Sequence, residues 1–305
     1  MKIIYHNDFD GKCSAAIAYL YYGNEIGENN IEFIEADYNK EIPLSTFKEN
    51  EKIIILDFSF SEDFMNKLLD ITTDIIWIDH HKTSIEKFKN NEKINTLPGL
   101  RLSGTAACPL SWHYFFYSEK VPDIVKYIAD YDVWTFEYDF YTEYVQEGLK
   151  TYDTDPDSLF WVEVSDDLNP NETVDRVIDR GRTCLYYRDS IYNKMIGDFS
   201  FETELEGYSV IALNTPLRGS PIFGDLKDEY DIMSVFCYNG EKWTVSLYTV
   251  KDDIDVSEIT ERKGGGGHKQ AAGFVSEYMP EFLKGENTSL RIEWAVEERI
   301  TDKRN

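Results

Sequence analysis

Cysteine is scarce in this chain: four in 305 residues, Cys13, Cys108, Cys184 and Cys237, each far from the next. That spacing excludes a zinc knuckle or a paired-thiol redox site and fits a reduced, cytoplasmic protein. Basic residues are few beside acidic ones, 31 against 57, and the formal net charge is -26. A surface of that sign repels long duplex nucleic acid and anionic membranes, so a polyanionic substrate must be small or held locally. No apolar run approaches the length of a membrane span, and no internal repeat or low-complexity tract occurs. The opening, MKIIYHNDFDG, lacks a basic start followed by an apolar core and a cleavage site, so no secretory signal is expected.

What is present is a set of short, continuous apolar runs. KIIYH, IEFIEA, KIIILDF and DIIWIDHH recur through the first third of the chain, each followed by a segment of helical composition. Unbroken rather than alternating hydrophobicity implies strands buried on both faces, hence an α/β doubly wound parallel sheet. CSAAIAYLYYG reads as a helix ending at Gly23, and SEDFMNKLLDI as a helix capped by Ser61. Past Gly104 the pattern turns helical, with VPDIVKYIADYDVW and the long NETVDRVIDRGRTCLYYRDSIYNKMI. Strands return as YSVIAL, DIMSVFCYN and KWTVSLYTV, the last two joined by an Asn239-Gly240 turn, and the final EERITDKRN reads as a frayed tail. The expected organisation is an N-terminal domain over 1–180, a helical linker over 181–196 and a smaller C-terminal α/β domain over 197–305, with a cleft between two lobes.

In an open α/β sheet the residues that close successive strands converge on one edge, where ligands bind. Here the first strand ends in His6 and runs into Asp8 and Asp10, the third ends at Asp57, and the fourth ends at Asp79, His80 and His81. Taken singly, Asp10-Gly11 reads as a turn, Asp57 as a helix cap and His80 as a hydrogen-bonded core residue. Together they read as a metal site, because gathered carboxylates repel unless cations lie between them, and imidazole with carboxylate suits first-row divalent metals. The ligands outnumber the needs of one ion, which favours a pair bridged by Asp57, alone on the middle strand.

These residues resemble the DHH phosphoesterases, whose name is the triplet Asp79-His80-His81. HNDFDG resembles the family's first motif, Asp57 its second, the triplet its third and IADYDVW its fourth, while GGGGHKQAAGF at 264 to 274 resembles the signature of the DHH-associated C-terminal domain. The subgroup that the opening resembles best is the short-oligonucleotide exonucleases, the nano-RNases, and single-strand exonucleases of the RecJ type share the same parts. The resemblance implies that His6, Asp8 and Asp57 hold one ion and that Asp10, Asp57, His80 and a carboxylate of Asp130-Tyr131-Asp132 hold the other. It favours Asp130, because an aromatic residue, here Trp134, stands four positions after the ligand; Asp132 is then a neighbouring group or a helix-end residue.

Four glycines before His268 leave backbone N–H groups free to form an anion-binding nest, so Gly265, Gly266, Gly267 and His268 are candidate substrate contacts, with Arg262 adding charge from just upstream. Ser103-Gly104-Thr105 is expected to cap the following helix. The expected catalytic set is Asp57, Asp79 and His81, with His81 donating to the phosphoryl group. The expected cofactor is a pair of Mn2+ ions, with Mg2+ or Co2+ as alternatives. The expected activity is hydrolysis of short single-stranded oligonucleotides, RNA first, to mononucleotides. The rival readings are a phosphatase or phosphodiesterase acting on a small nucleotide, 3′,5′-bisphosphorylated adenosine or a cyclic dinucleotide, and a nucleotide-binding sensor that has lost catalysis. No membrane or long duplex partner is expected; the sequence is silent on oligomeric state and admits a homodimer.

Overall fold

The computed structural model describes residues 1–27, 30–38, 40–117, 120–165 and 170–284, which leaves the predicted C-terminal tail at 297–305 outside the described residues. The chain divides into two compact units, Met1–Leu185 and Tyr186–Asn305.

The first unit runs β1 (Lys2–His6), α1 (Phe9–Ile26), β2 (Glu32–Ala36), β3 (Ile53–Leu56), α2 (Glu62–Ile71), β4 (Ile75–Ile78), α3 (Lys82–Phe88), α4 (Glu92–Asn95), α5 (Ala107–Phe116), α6 (Asp123–Asp132), α7 (Phe140–Leu149), α8 (Leu159–Ser165) and α9 (Pro170–Phe199), the last of which carries the boundary between the units. The four strands form one parallel sheet in the order β2-β1-β3-β4. Side chains alternate across its faces, as the pleat requires. Ile3, Tyr5, Ile54, Leu56, Ile76 and Ile78 pack with the helices α1 and α5 to α9. Ile4, Ile53, Ile55, Ile75 and Trp77 pack on the other face with Met65, Leu68, Phe88 and Ile94 of α2 to α4. Burial on both faces explains why the strands read as unbroken apolar runs. Helix α1 passes Gly23 and stops at Gly27, whose φ of 82° is a conformation only glycine adopts freely. Ser61 caps α2 by accepting from the Phe64 N–H.

The second unit continues with β5 (Ser200–Leu205), β6 (Tyr208–Asn214), α10 (Leu226–Glu229), β7 (Ile232–Tyr238), β8 (Trp243–Tyr248), α11 (Val256–Glu261), β9 (Gly266–His268) and β10 (Ala271–Ser276). They form a mixed sheet in the order β5-β6-β7-β8-β10-β9, antiparallel except between β6 and β7. Strands β7 and β8 make the hairpin expected around Asn239-Gly240, with Tyr238 opposite Trp243. The glycine run differs from a free nest. Gly266–His268 is an edge strand paired antiparallel with β10, and a side chain on Gly265 would sit 2.1 Å from the Gly273 carbonyl oxygen. Gly265 and Gly267 permit the close approach of β10.

Candidate metal centre

In the order β2-β1-β3-β4 the chain leaves β1 toward one side of the sheet and returns on the other, so β1 and β3 flank the point where winding reverses. Loops diverge there and leave a crevice at the carboxyl ends of the strands. His6 closes β1 and Asp57 follows β3. Asp57 donates its N–H to the Ile78 carbonyl and adopts a φ of 53°, a left-handed conformation that aspartate tolerates better than most residues. Asp8 caps α1 through the Gly11 N–H, at 2.8 Å, and its other oxygen lies 2.6 Å from His6 Nδ1. The buried Asp10 carboxylate accepts from the Ala107 and Cys108 N–H groups, both at 2.7 Å. It thus caps α5, a role expected of residues 103 to 105, whereas the residue at the cap position, Ala106, has no capping side chain.

Beyond β4, Asp79 is fully buried and its Oδ1 accepts from the His81 N–H at 3.0 Å and lies 2.8 Å from His81 Nδ1. The backbone there is held by Arg101, whose guanidinium donates to the carbonyls of Trp77 and Leu97 and lies over the Trp77 ring. His80 points the other way. Its Nε2 stands 3.1 Å from Asp57 Oδ1, 3.4 Å from Asp132 Oδ2 and 3.8 Å from Asp10 Oδ2. His6 Nδ1 approaches the second oxygen of Asp57 at 3.6 Å.

Potential ligand atoms therefore gather in three overlapping groups: His6, Asp8 and Asp57; Asp57, His80 and His81; and Asp10, His80 and Asp132. Asp130 is not among them, which corrects the choice made from the fourth motif. Its carboxylate accepts from Thr135 Oγ1 at 2.6 Å, the Glu137 N–H at 2.8 Å, the Tyr138 N–H at 3.3 Å and Thr142 Oγ1. Asp130 ties the loop after α6 to α7, and Asp132 reaches the centre instead.

Both oxygens of Asp57 and Oδ2 of Asp132 are buried without a hydrogen-bond donor. Buried carboxylates left in that state are costly unless a cation answers them. Four carboxylates, from Asp8, Asp10, Asp57 and Asp132, face the three imidazoles, a donor set that fits divalent metal and whose charge two dications would balance. The electrostatics of the metal-free centre show the same crowding. Asp57 and Asp8 hold His6 up at about 10. Burial opposes protonation of His80, but Asp57, Asp10 and Asp132 outweigh it and raise the group to about 9. Burial, with the charges of Asp57 and Asp8 beside it, lifts Asp132 to about 6, and burial lifts Asp10 well above the usual carboxylate range.

Residues 1–131 match the DHH family, N-terminal domain. Over those residues the N-terminal unit is similar to the DHH family. Over 298 residues the chain is 27% identical to the uncharacterized protein R106 of Acanthamoeba polyphaga mimivirus, covering 90% of this chain and 66% of that protein. It is 24% identical over 300 residues to the oligoribonuclease NrnB of Bacillus subtilis, covering 88% of this chain and 71% of that protein. The chain spans about two thirds of the length of these relatives. Among solved structures, the pGpG-specific phosphodiesterase PggH of Vibrio cholerae shares the fold, with a TM-score of 0.56 at 13% identity over 90% of this chain and 93% of that one.

In the second unit, Arg262 is committed to Glu206 by an exposed ion pair at 2.6 Å, and Lys263 reaches the same carboxylate at 3.3 Å. Gly264 to Gly267 line an open depression of about 510 Å³ together with Arg218, Ser246 and Tyr248. His268 lies exposed on β9, outside the lining of that depression. Arg218 lies in a loop with no motif around it, so the sequence did not single it out.

Proposed function

We propose that this chain is a two-metal-dependent phosphodiesterase that hydrolyses short single-stranded oligonucleotides, RNA first, to mononucleotides. The observation that carries the reading is Asp57: its two oxygens, buried and without donors, face His80 on one side and His6 on the other, the disposition of a carboxylate that bridges two cations. His6, Asp8 and Asp57 would hold one ion, and Asp10, Asp57, His80 and Asp132 the other. When bound, such a pair of ions, Mn2+ in this proposal with Mg2+ or Co2+ as substitutes, generates a nucleophile from water near neutral pH and screens charge on the phosphoryl oxygens.

The chain's own residues supply the rest. Asp79 accepts from His81 Nδ1–H, which orients the ring and favours its protonated form, so that Nε2–H of the imidazolium can donate to a phosphoryl oxygen. The depression lined by Gly265, Gly266 and Gly267 offers Arg218 as a cation for a substrate phosphate, and His268, exposed at the end of the strand that carries Gly266 and Gly267, is a separate candidate donor. The charge of -26 favours short substrates over long polyanions, and the likeness to an oligoribonuclease, NrnB, supports the substrate class.

The test is Asp57→Asn, which keeps a residue tolerant of positive φ while removing the charge. Turnover of RNA dimers and longer oligomers should vanish and bound Mn2+ should fall below two per chain. Wild-type turnover by the variant at matched metal loading would overturn the proposal. A product chromatogram over RNA and DNA oligomers and cyclic dinucleotides, with and without Mn2+, separates the oligonucleotide reading from a small-nucleotide one.

A further inference from the structure

Tyr38, two residues past β2, is 56% exposed although its ring stands among the groups of the candidate metal centre. Its centroid lies 5.8 Å from the His6 ring and 6.4 Å from the His81 ring. Beneath it is Phe58, 4% exposed and adjacent in sequence to Asp57, with centroids 4.7 Å apart and planes inclined by 33°. Phe58 is in turn braced edge-on by Phe60 at 5.1 Å, and Phe60 stacks on Phe64 at 4.2 Å. The Tyr38 ring is therefore backed by a column of aromatic side chains, while the residue remains 56% exposed. Trp134 is also exposed, at 66%, but its ring neighbours are Tyr131 and Phe136, neither of which belongs to the metal centre.

A rigid π-face left open beside a site built for phosphate chemistry matches a substrate whose phosphate carries a flat, apolar-faced group one sugar away. We propose that Tyr38 is the shelf on which a nucleobase next to the scissile phosphate stacks, so that the site selects nucleosidic phosphodiesters over other phosphate esters. The inference rests on the phosphodiesterase reading and adds the chemical class of the group beside the phosphate. Stacking tolerates any base, since every base presents a π-face, so the shelf confers preference for nucleotides without preference for sequence. Tyr38 acts on binding and takes no part in bond making.

The experiment compares wild type with Tyr38→Phe, Tyr38→Leu and Tyr38→Ala on a diadenosine RNA dimer and on dimers in which one or the other adenine is replaced by hydrogen. Turnover is measured with Mn2+, and dimer binding by titration calorimetry. Loss of a stacked base should raise KM and Kd of the Ala and Leu variants for the intact dimer by about 5- to 150-fold with kcat retained. Phe should match wild type, and one base-free dimer should be bound equally by all four proteins. Normal handling of that dimer shows that the variants are folded. Equal losses on intact and base-free dimers, an unchanged KM in the Ala variant, or Leu serving as well as Tyr would each overturn the shelf. Wild type that binds the dimer without cleaving it would sink the phosphodiesterase reading and still judge the shelf by Kd; wild type that neither binds nor cleaves it would sink both.

Discussion

Asp130 and Asp132 sit two positions apart on α6, about 200° around the helix, so they face opposite ways. One carboxylate can reach the sheet edge only if the other turns away. The sequence poses that choice without resolving it, because the answer depends on where α7 places Thr142 and on the loop donors Thr135, Glu137 and Tyr138. That loop holds Trp134, Phe136 and Asp139 at positive φ, a strained path that the Asp130 carboxylate fastens. The two residues should therefore fail differently. Asp132→Asn should lose an ion and turnover without lowering the thermal midpoint of the metal-free protein, because it removes a buried carboxylate that the fold disfavours in its charged form. Asp130→Asn turns an amide toward groups that donate, at a cost of about 1–3 kcal/mol, and should lower the midpoint of the N-terminal unit by some degrees, at about 2–4 °C per kcal/mol. Calorimetry beside metal analysis distinguishes the two patterns, and exchange of the two outcomes would restore Asp130 as the ligand. At His81 the orienting contact is Asp79. Asp79→Asn should cut kcat by about 10- to 100-fold, the usual cost of losing such a partner; a kcat equal to wild type would remove Asp79 from the machinery.

At the scale of elements, the parallel sheet was legible because β1, β3 and β4 are buried on both faces, and the ends of these strands carry most of the side chains that gather in the candidate centre. The helix starts were less legible. Ser103-Gly104-Thr105 has the composition of a cap, yet α5 is capped by Asp10, ninety-seven positions from Ala107 in sequence, a partnership only the packing of α1 on α5 creates. Asp10-Gly11 likewise reads as a turn but lies inside α1, and Gly11 is there for proximity: a side chain on it would meet the His6 carbonyl oxygen at 2.1 Å. Glycine at that point lets the first turn of α1 press against the end of β1 and brings His6, Asp8 and Asp10 together. Gly11→Ala should push the helix off the strand, at about 1–3 kcal/mol or more for the overpacking, and lower Mn2+ affinity together with the thermal midpoint. Unchanged metal affinity, measured by titration, would show that the approach of α1 to β1 does not set the ligand geometry. The glycine run of the second unit was legible as backbone without side chains, but its pairing with β10 depends on residues whose small size, at Ala272 and Gly273, carries no strand signal of its own.

For the molecule as a whole, the proposed metal binding would be coupled to folding through charge. His6 and His80 are raised to about 10 and about 9 in the metal-free fold, above the ordinary histidine value. Their contribution to stability is complete below about pH 6.5 and declines as pH climbs through the folded values, since the unfolded chain gives up those protons first. Asp132, raised to about 6 by burial, works in the same direction. The fold favours its protonated form, so a penalty develops as pH rises from the ordinary aspartate value toward 6 and persists above it. Metal-free protein should thus lose stability from about pH 4 to about pH 9, first through Asp132 and then through the two histidines. Divalent ions reverse the sign, because they bind the deprotonated ligands and displace those same protons, so their affinity increases with pH. Since a ligand that binds only the folded state stabilises it by mass action, the gap in thermal midpoint between Mn2+-loaded and EDTA-treated protein should widen with pH over that window. In Asp57→Asn, where the shared carboxylate is gone, the gap should be smaller and flatter. A gap independent of pH in the wild type would mean that the ions do not meet His6, His80 and Asp132, and the centre would have to be sought elsewhere in the chain.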